Sequence, residues 1–513
     1  FKTIHMLLEF VSINGESSWV KFLKWKFVAI FAYYRGQEMP PKPEFNYAGK
    51  RYSGNAFWSY HSLLGGSYQN YLEKIKRLDN DRFMQFIDSV QQLKKAMPSV
   101  PVSMIRKSEV DTRIELTLLE PRVMQPVDIE TPQHPVSKKL LGERKVVTKV
   151  ARPVIEKELR RTVQEIFEDE VFLSKDFYDP FFPSTSANYI RSRSNCGSVA
   201  ALYEVAQHFN TGSCIETGEA LFQNITESEF ALRGRSSSDQ PNEEGEPIGS
   251  QPILLIDTTT LHTKWREEFN RIFALALDEE PLVEAVGLAE PLKVRVISKG
   301  PPLLYTSLKP LQKWLWGTLK KHRIFKLIGE PVSEDDVNHV LGSLRDNEIA
   351  VSGDYVSSTN RLHSWVSETI LDQLMEEMAS NIPKSELDEL PVDFLCKLRL
   401  LFLKALTKHI FVEEGKKYPQ TEGQLMGSVV SFPFLCIANA ALCRMALELS
   451  DERHRTFRLH EHKKFIGPEA PLLINGDDCL LKGGPFLRST WETVCAMAGL
   501  ESSVGKTYFS NTF

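Results

Sequence analysis

Two aspartates stand side by side at 477 and 478, behind Gly476. Apolar Leu472, Leu473 and Ile474 precede them, and Leu480 and Leu481 follow. The pattern predicts two short strands, Leu472 to Asn475 and Cys479 to Leu481, joined by a tight turn. Two adjacent carboxylates at the tip of a buried hairpin repel each other unless a cation sits between them. A polar hairpin turn, where Gly and Asp are favoured, is the plainer reading. A third acid, Asp354, closes another apolar run, Glu348 to Gly353; alone it would pass for a helix cap or turn acid. Brought together, these strand ends would hold two divalent ions about 3.5–4 Å apart, which stabilise the attacking and leaving oxygens of phosphoryl transfer. Magnesium suits the hard oxygens of Asp354, Asp477 and Asp478; two Mg2+ ions are expected, with Mn2+ as the substitute.

Between the acids runs Gly423-Gln424-Leu425-Met426-Gly427-Ser428, then Ser431-Phe432-Pro433 and, further on, Asn439. Glycines let such a loop approach a ligand backbone closely. Phe432 to Leu449 reads as a helix with Pro433 in its first turn, where a missing amide costs little, and with Ser431 as its cap. Asn439 lies eight residues past Ser431, about two turns, so both project near one face. A serine and an asparagine there can read a ribose hydroxyl; a satisfied core amide is the other role open to Asn439. Upstream, Lys293 to Lys299 alternates. As a strand it turns Lys293, Arg295 and Lys299 to one face and Val294 and Val296 to the other. Three cations on a face suit a triphosphate, and Arg adds a planar fork for phosphate; an amphipathic surface strand has the same pattern. Lys506 follows Gly505 and can protonate a leaving pyrophosphate, although by itself it is an ordinary surface lysine.

These residues need strands and helices to bring them together. Ser364 to Ala379 reads as an amphipathic helix with Trp365, Ile370, Leu374 and Met378 near one face. The 513 residues exceed one small core, so two to four subdomains of roughly 100–200 residues are expected. An apolar share of 42% with 25% charged residues is enough to bury a large core. The net charge of −5 gives no global basic signature, so contact with nucleic acid must come from local cations. The densest basic run, Lys138 to Arg161, is either a solvated face or a phosphate-contacting wall. Arg233 to Pro252 is rich in Ser, Gly, Pro and Glu and reads as a mobile insertion. Seven cysteines, none in a Cys-x-x-Cys pair, argue against a zinc finger or disulfide framework and for a reducing compartment. The most apolar early stretch, Phe27 to Tyr34, falls far short of the roughly 20 residues a bilayer span needs, so no membrane span is expected. The chain runs from Phe1 to Phe513 without an initiating methionine and reads as a piece of a longer frame.

Taken in order, these blocks resemble the polymerase motifs of positive-strand RNA viruses. The likeness is strongest to the ourmia-like (botourmiavirus) RNA-directed RNA polymerases of the narnavirus and levivirus lineage. Lys293 to Lys299 looks like motif F, Gly353 to His363 like motif A, and Gly423 to Asn439 like motif B. Asn475 to Asp478 looks like motif C and Gly499 to Tyr508 like motif D. Pro183 to Asn188 and Arg191 to Gly197 resemble motif G. The resemblance covers roughly residues 180–513 of the chain.

The resemblance implies an α+β right hand: fingers and palm, an antiparallel palm sheet flanked by helices, and a thumb largely missing. Residues 1–180 would form an N-terminal extension and fingers, 181–345 fingers with motifs G and F, and 346–513 the palm with motifs A to D. It implies template-directed RNA synthesis from an RNA template by two-metal nucleotidyl transfer, replicating a viral genome. Metal binding then falls to Asp354, Asp477 and Asp478, and proton donation to Lys506. Nucleotide contact falls to Lys293, Arg295, Lys299, Asn360, Ser431 and Asn439, and the template path to Ser184, Ser186, Arg191, Gly427 and Ser428. The expected partners are template and product RNA and ribonucleoside triphosphates. The expected setting is the host cytoplasm, with the mitochondrion as the other compartment. One departure stands out. The family's aspartate six positions after Asp354 is Asn360 here, which keeps hydrogen bonding and loses the charge. A reverse transcriptase shares the palm and the metal chemistry, and a decayed viral RNA-binding remnant is the non-catalytic alternative. The glycine before the acid pair, the motif B asparagine and the Ser-Phe-Pro block favour the RNA polymerase, and the intact acids disfavour the remnant.

Overall fold

Short apolar runs ending in polar turns produce the strands that carry the acids. The computed structural model describes residues 10–35, 39–41, 66–92, 95, 97, 99–118, 120, 122–142, 145–181, 183–208, 258–460, 466–503 and 506–511. The expected insertion at 233–252 lies outside the described residues. Among the described residues the fold is mixed α and β, with three sheets. β1 (Val127–Thr131) and β2 (Val146–Val150) form a hairpin. β3 (Leu282–Glu290), β4 (Lys293–Lys299), β6 (Ile410–Glu413) and β7 (Lys416–Pro419) form a second sheet in the order β4-β3-β6-β7. β5 (Ile349–Gly353), β8 (Leu472–Asn475), β9 (Asp478–Gly483) and β10 (Tyr508–Ser510) form the third, in the order β10-β5-β9-β8. All its pairings are antiparallel, so the acid-bearing strands are immediate neighbours although over a hundred residues separate them in sequence.

Among the helices of the described residues, those that bear on the site are α1 (Glu16–Arg35), α2 (Val102–Leu116), α3 (Arg152–Phe167), α4 (Ser364–Asn381), α5 (Ser431–Ser450) and α6 (Leu487–Met497). The strand and helix expectations at 348–353, 364–379, 432–449 and 472–481 match β5, α4, α5 and the β8–β9 hairpin to within about two residues, the ordinary fraying of element ends. One detail differs. Ser431 is the first helical residue, not the cap; Val430 precedes it and offers no side-chain acceptor.

α5 is the centre of the main core. Ile437, Ala438, Ala440, Ala441, Leu442 and Ala446 are fully buried, because α3, α4, α6 and the third sheet all pack on it. It is the one helix among the described residues long and apolar enough to cross a membrane, yet 83% of that stretch is buried within the chain; a helix apolar all round suits a protein interior equally well.

A buried ionic clamp fixes α5 against α3. Arg444, with no exposed surface, donates to Glu158 Oε1 at 2.7 Å, to Thr162 Oγ1 at 2.7 Å and to Glu165. Arg161 closes the other side with a two-pronged contact to Glu448, both at 2.8 Å. Within the basic run at 138–161, the half-buried Arg161 is therefore a tie between helices. Such a clamp adds little net stability over an apolar core, but removing one partner strands the others unpaired. Replacing Arg444→Ala is expected to lower the unfolding free energy by about 3–5 kcal/mol in urea titrations. Lys417→Ala, which breaks the exposed pair with Glu280, should cost about 0–1 kcal/mol. Equal losses would contradict this reading of the clamp.

His409 leads into β6 and is fully buried. Its Nδ1 lies 2.9 Å from Gln420 Oε1 and its Nε2 3.0 Å from the Tyr305 hydroxyl. Gln420 Oε1 can only accept, so Nδ1 carries the proton and Nε2 accepts from tyrosine. Burial holds this imidazole neutral and pushes its pKa down to about 4. The unfolded side chain protonates near 6.5, so the unfolded state takes up the proton first and stability falls as pH drops from about 6.5 towards 4. Urea midpoints at pH 7 and pH 5 should show that loss, and His409→Gln should reduce its slope; an unchanged slope would remove His409 as its source.

Candidate active site

The antiparallel register gathers the acids. Gly353 pairs with Cys479, and Asn475 with Asp478. One step beyond Gly353 is Asp354, and one step before Cys479 is Asp478, so the two fall opposite each other. The loop between β8 and β9 is just Gly476 and Asp477. Gly476 has φ +67°, and a Cβ there would lie 3.0 Å from the Phe432 ring. A glycine-first two-residue loop matches the twist of its strands and holds Asp477 at the tip.

The site is short of positive charge. Asp478 is pushed up to about 6 by burial first, then by the charges of Asp477 and Asp354, with Lys506 acting against them. Lys506 has settled on Asp354, its Nζ bonded to Oδ2. The backbone secures this arrangement: Asp354 N donates to Thr507 Oγ1 at 3.2 Å, Thr507 Oγ1 donates to Asp354 O at 2.8 Å, and Ser503 N reaches the same carbonyl at 2.8 Å. Ser358 Oγ donates to Asp477 Oδ2 at 2.8 Å. Among the described residues no group of three His, Cys, Asp or Glu side chains is drawn tightly enough to hold a metal ion as it stands. The Lys506 ammonium pairs with one of the three carboxylates, that of Asp354.

α5 supports the turn from below. Phe432, Cys436, Asn439 and Cys443 recur every three or four residues and so share a face. Gly476 N donates to Cys436 Sγ at 3.2 Å, and Asn439 Nδ2 donates to Gly476 O at 3.0 Å. The Tyr355 hydroxyl donates to Asn439 Oδ1 at 2.8 Å. Asn439 is fully buried. Of the two roles open to it, this arrangement displays the core amide: it grips the turn and does not face the cleft. Ser431 differs, since its buried Oγ has no hydrogen-bond partner.

The basic strand is divided between two places. Lys293, at the start of β4, feels the charges of Arg295 and Lys506, which together with burial lower its pKa. Arg295 is paired with Glu290 at 2.7 Å. Lys299, paired with Glu284, is six residues further along, roughly 20 Å at strand spacing. The far end of β4 instead meets the residues assigned to the template path. Ser298 N donates to Met426 O at 2.8 Å, and a Cβ on Gly427 would lie 2.4 Å from Ser298 O, so only glycine fits there. Tyr189 N donates to Gly300 O at 2.9 Å, bringing the exposed loop of Ser184, Ser186 and Arg191 to the same end. Ser428 is buried and its hydroxyl donates to Ala405 O, so it anchors the loop from inside.

No family model matches the chain. It is similar to the RNA-dependent RNA polymerase of Ourmia melon virus (isolate Melon/Iran/VE9), with 34% identity over 233 residues. That alignment covers 43% of this chain and a quarter, 25%, of the relative's length. The resemblance to ourmia-like polymerases drawn from the motifs thus has a relative to match it. Among solved structures, the chain is similar to the RNA-dependent RNA polymerase of a human picorbirnavirus. An insertion-loop deletion mutant of that protein gives a TM-score of 0.45 at 13% identity, covering 87% of this chain and 68% of that one. The undeleted form gives 0.44 at 12%, covering 86% and 66%.

Asn360 has a partner that no motif pointed to. Its Nδ2 donates to Glu115 Oε2 of α2 at 3.1 Å, and Arg361 Nε reaches Glu115 Oε1 at 3.2 Å. A carboxylate from α2 thereby stands beside the position where the ourmia-like pattern has its second aspartate. Ser358 and Tyr355 were also missed as individual residues. Both lie within the motif A block, but only the folded register shows what they touch. Asn439→Ala would leave the Gly476 carbonyl unpaired and the Tyr355 hydroxyl with only the weak sulfur contacts of Cys443, Cys479 and Cys495. It is expected to cost about 1–3 kcal/mol of stability in urea unfolding. A variant as stable as the parent would show that the amide does not hold the turn.

Proposed function

We propose that this chain carries the catalytic part of a viral RNA-directed RNA polymerase, joining ribonucleotides on an RNA template. The observation that carries this reading is the meeting of Asp354, Asp477 and Asp478 at one end of an antiparallel sheet with Lys506 beside them. The third sheet with α5 and α6 would be the palm, and the β3–β4 hairpin with the loop at 183–197 would belong to the fingers. Similarity to an ourmiavirus polymerase supports the same reading.

The donor set suits magnesium: three aspartates offer hard oxygens, and the lysine drawn onto Asp354 shows that the cluster accepts a cation. Asp354, Asp477 and Asp478 would hold two such ions, Mn2+ being the substitute. When bound, they would neutralise the charge that develops on the attacking and leaving oxygens. The chain's own groups do the rest. The β8–β9 turn, gripped by Asn439 and Cys436, holds the position of Asp477 and Asp478. Ser358 orients the Asp477 carboxylate. Lys293 and Arg295 meet the triphosphate at the catalytic end of β4. Lys506 keeps a proton on Nζ and passes it to the departing pyrophosphate. Asn360, its amide nitrogen committed to Glu115, keeps Oδ1 as an acceptor for the ribose 2′-hydroxyl, and the unpartnered Ser431 hydroxyl is a second candidate contact for the same nucleotide.

The test is RNA synthesis on a primed RNA template with Mg2+. Asp477→Asn should lower the rate by at least about a thousandfold, the scale of losing a principal charge-stabilising group, while the melting temperature does not fall. Undiminished synthesis by that variant would refute the catalytic reading, and a parent chain that binds RNA but synthesises none would favour the decayed remnant. Extension with deoxynucleotides in preference to ribonucleotides would point to a reverse transcriptase.

A further inference from the structure

α1 belongs to the stretch in which the sequence shows no motif, yet its packing ties it to the catalytic end of β4. Val20 and Phe27 of α1 share a buried cluster with Val100 and with Leu292 at the tip of the β3–β4 hairpin, and Leu23 and Val294 pack against that cluster. Positions 20, 23, 24 and 27 lie on one side of a helix. The contacts that seat α1 on the hairpin therefore bring Lys24 to its edge.

The surroundings of Lys24 are electrostatically unusual. It is close enough to Lys506 and Asp354 for both charges to act on it, and Lys293 in turn feels Lys24, Arg295 and Lys506. Of these four cations, Arg295 is paired with Glu290 and Lys506 with Asp354. Lys24 and Lys293 have no ion-pair partner among the described residues. Two unpaired ammonium groups beside two paired ones repel one another, and a multivalent anion would relieve that repulsion. An RNA backbone spreads its charges one per nucleotide, whereas a triphosphate concentrates several on adjacent phosphates. A cluster of cations around one metal-site carboxylate fits the second.

We propose that Lys24 joins Lys293 and Lys506 in a cradle for the β- and γ-phosphates of the incoming ribonucleoside triphosphate and for the pyrophosphate that leaves. The N-terminal helix is then part of the active site. This rests on the polymerase reading above.

Binding of inorganic pyrophosphate and the KM for ribonucleoside triphosphate are measured for the parent chain, Lys24→Met, Lys24→Gln and Lys24→Arg. Methionine keeps the unbranched stem and removes the charge. Lys24→Met and Lys24→Gln should weaken pyrophosphate binding and raise KM by about tenfold, the scale of one lost charge-assisted contact. The affinity for RNA should stay within about twofold, and Lys24→Arg should keep most of the binding. Unchanged pyrophosphate binding in Lys24→Met would overturn the proposal. So would a loss of RNA affinity in its place, which would assign Lys24 to the backbone, or a fall in melting temperature in both neutral variants that accounts for the loss. A parent chain that binds pyrophosphate through Lys24 but makes no RNA would keep the cradle and sink the polymerase reading. RNA synthesis indifferent to Lys24 would do the reverse.

Discussion

Three carboxylates that repel one another are held at the end of one sheet, and the rest of the structure can be understood as what resists that repulsion. The antiparallel register sets Asp354 opposite Asp478, and a two-residue loop leaves Asp477 no room to retreat. Backbone geometry alone would not keep such a loop in place. It is gripped through both polar atoms of Gly476, by Cys436 and Asn439 of α5. α5 is in turn fixed by the Arg444 clamp and by the apolar core around it. The charge problem at the surface is thus solved by groups that never see solvent.

The same constraint explains why the site looks incomplete. Asp478 resists ionisation, and Lys506 leans onto Asp354. Burial raises Asp478 first and the neighbouring carboxylates add to it, while Lys506 answers the charge of Asp354. A resident pair of divalent ions would answer that need more fully than one ammonium group can, and would release Lys506 for proton transfer. Lys24 and Lys293 stand within electrostatic reach of Lys506, without an ion-pair partner among the described residues.

What could be read from the sequence was set by short-range chemistry. Gly476 ahead of two acids, Pro433 in the first turn of α5 and the apolar runs before Asp354 and Asp477 each act through neighbours a few residues away, so their elements were legible. Roles that depend on distant partners were not. Ser431 looked like a cap because serine usually caps, but the helix begins one residue earlier than that reading needs. Lys299 counted with Lys293 because they share a strand face; the strand's length separates them. Asn439 stood equally for a ligand contact or a core amide until Tyr355 and Gly476 appeared on either side of it. Glu115 and Lys24 come from helices without any motif, and only tertiary packing brings them to the site.

The central claim is that Asp354, Asp477 and Asp478 form one divalent-ion site. It is tested most directly by the electron paramagnetic resonance of Mn2+ titrated into the parent chain and into Asp354→Asn, Asp477→Asn and Asp478→Asn, with a ribonucleoside triphosphate present. The account predicts two bound ions in the parent and weaker or fewer in each variant, since every acid contributes to the same pair. Binding that is the same in all four proteins would mean that the three aspartates do not act as one site, and the polymerase reading would lose its foundation.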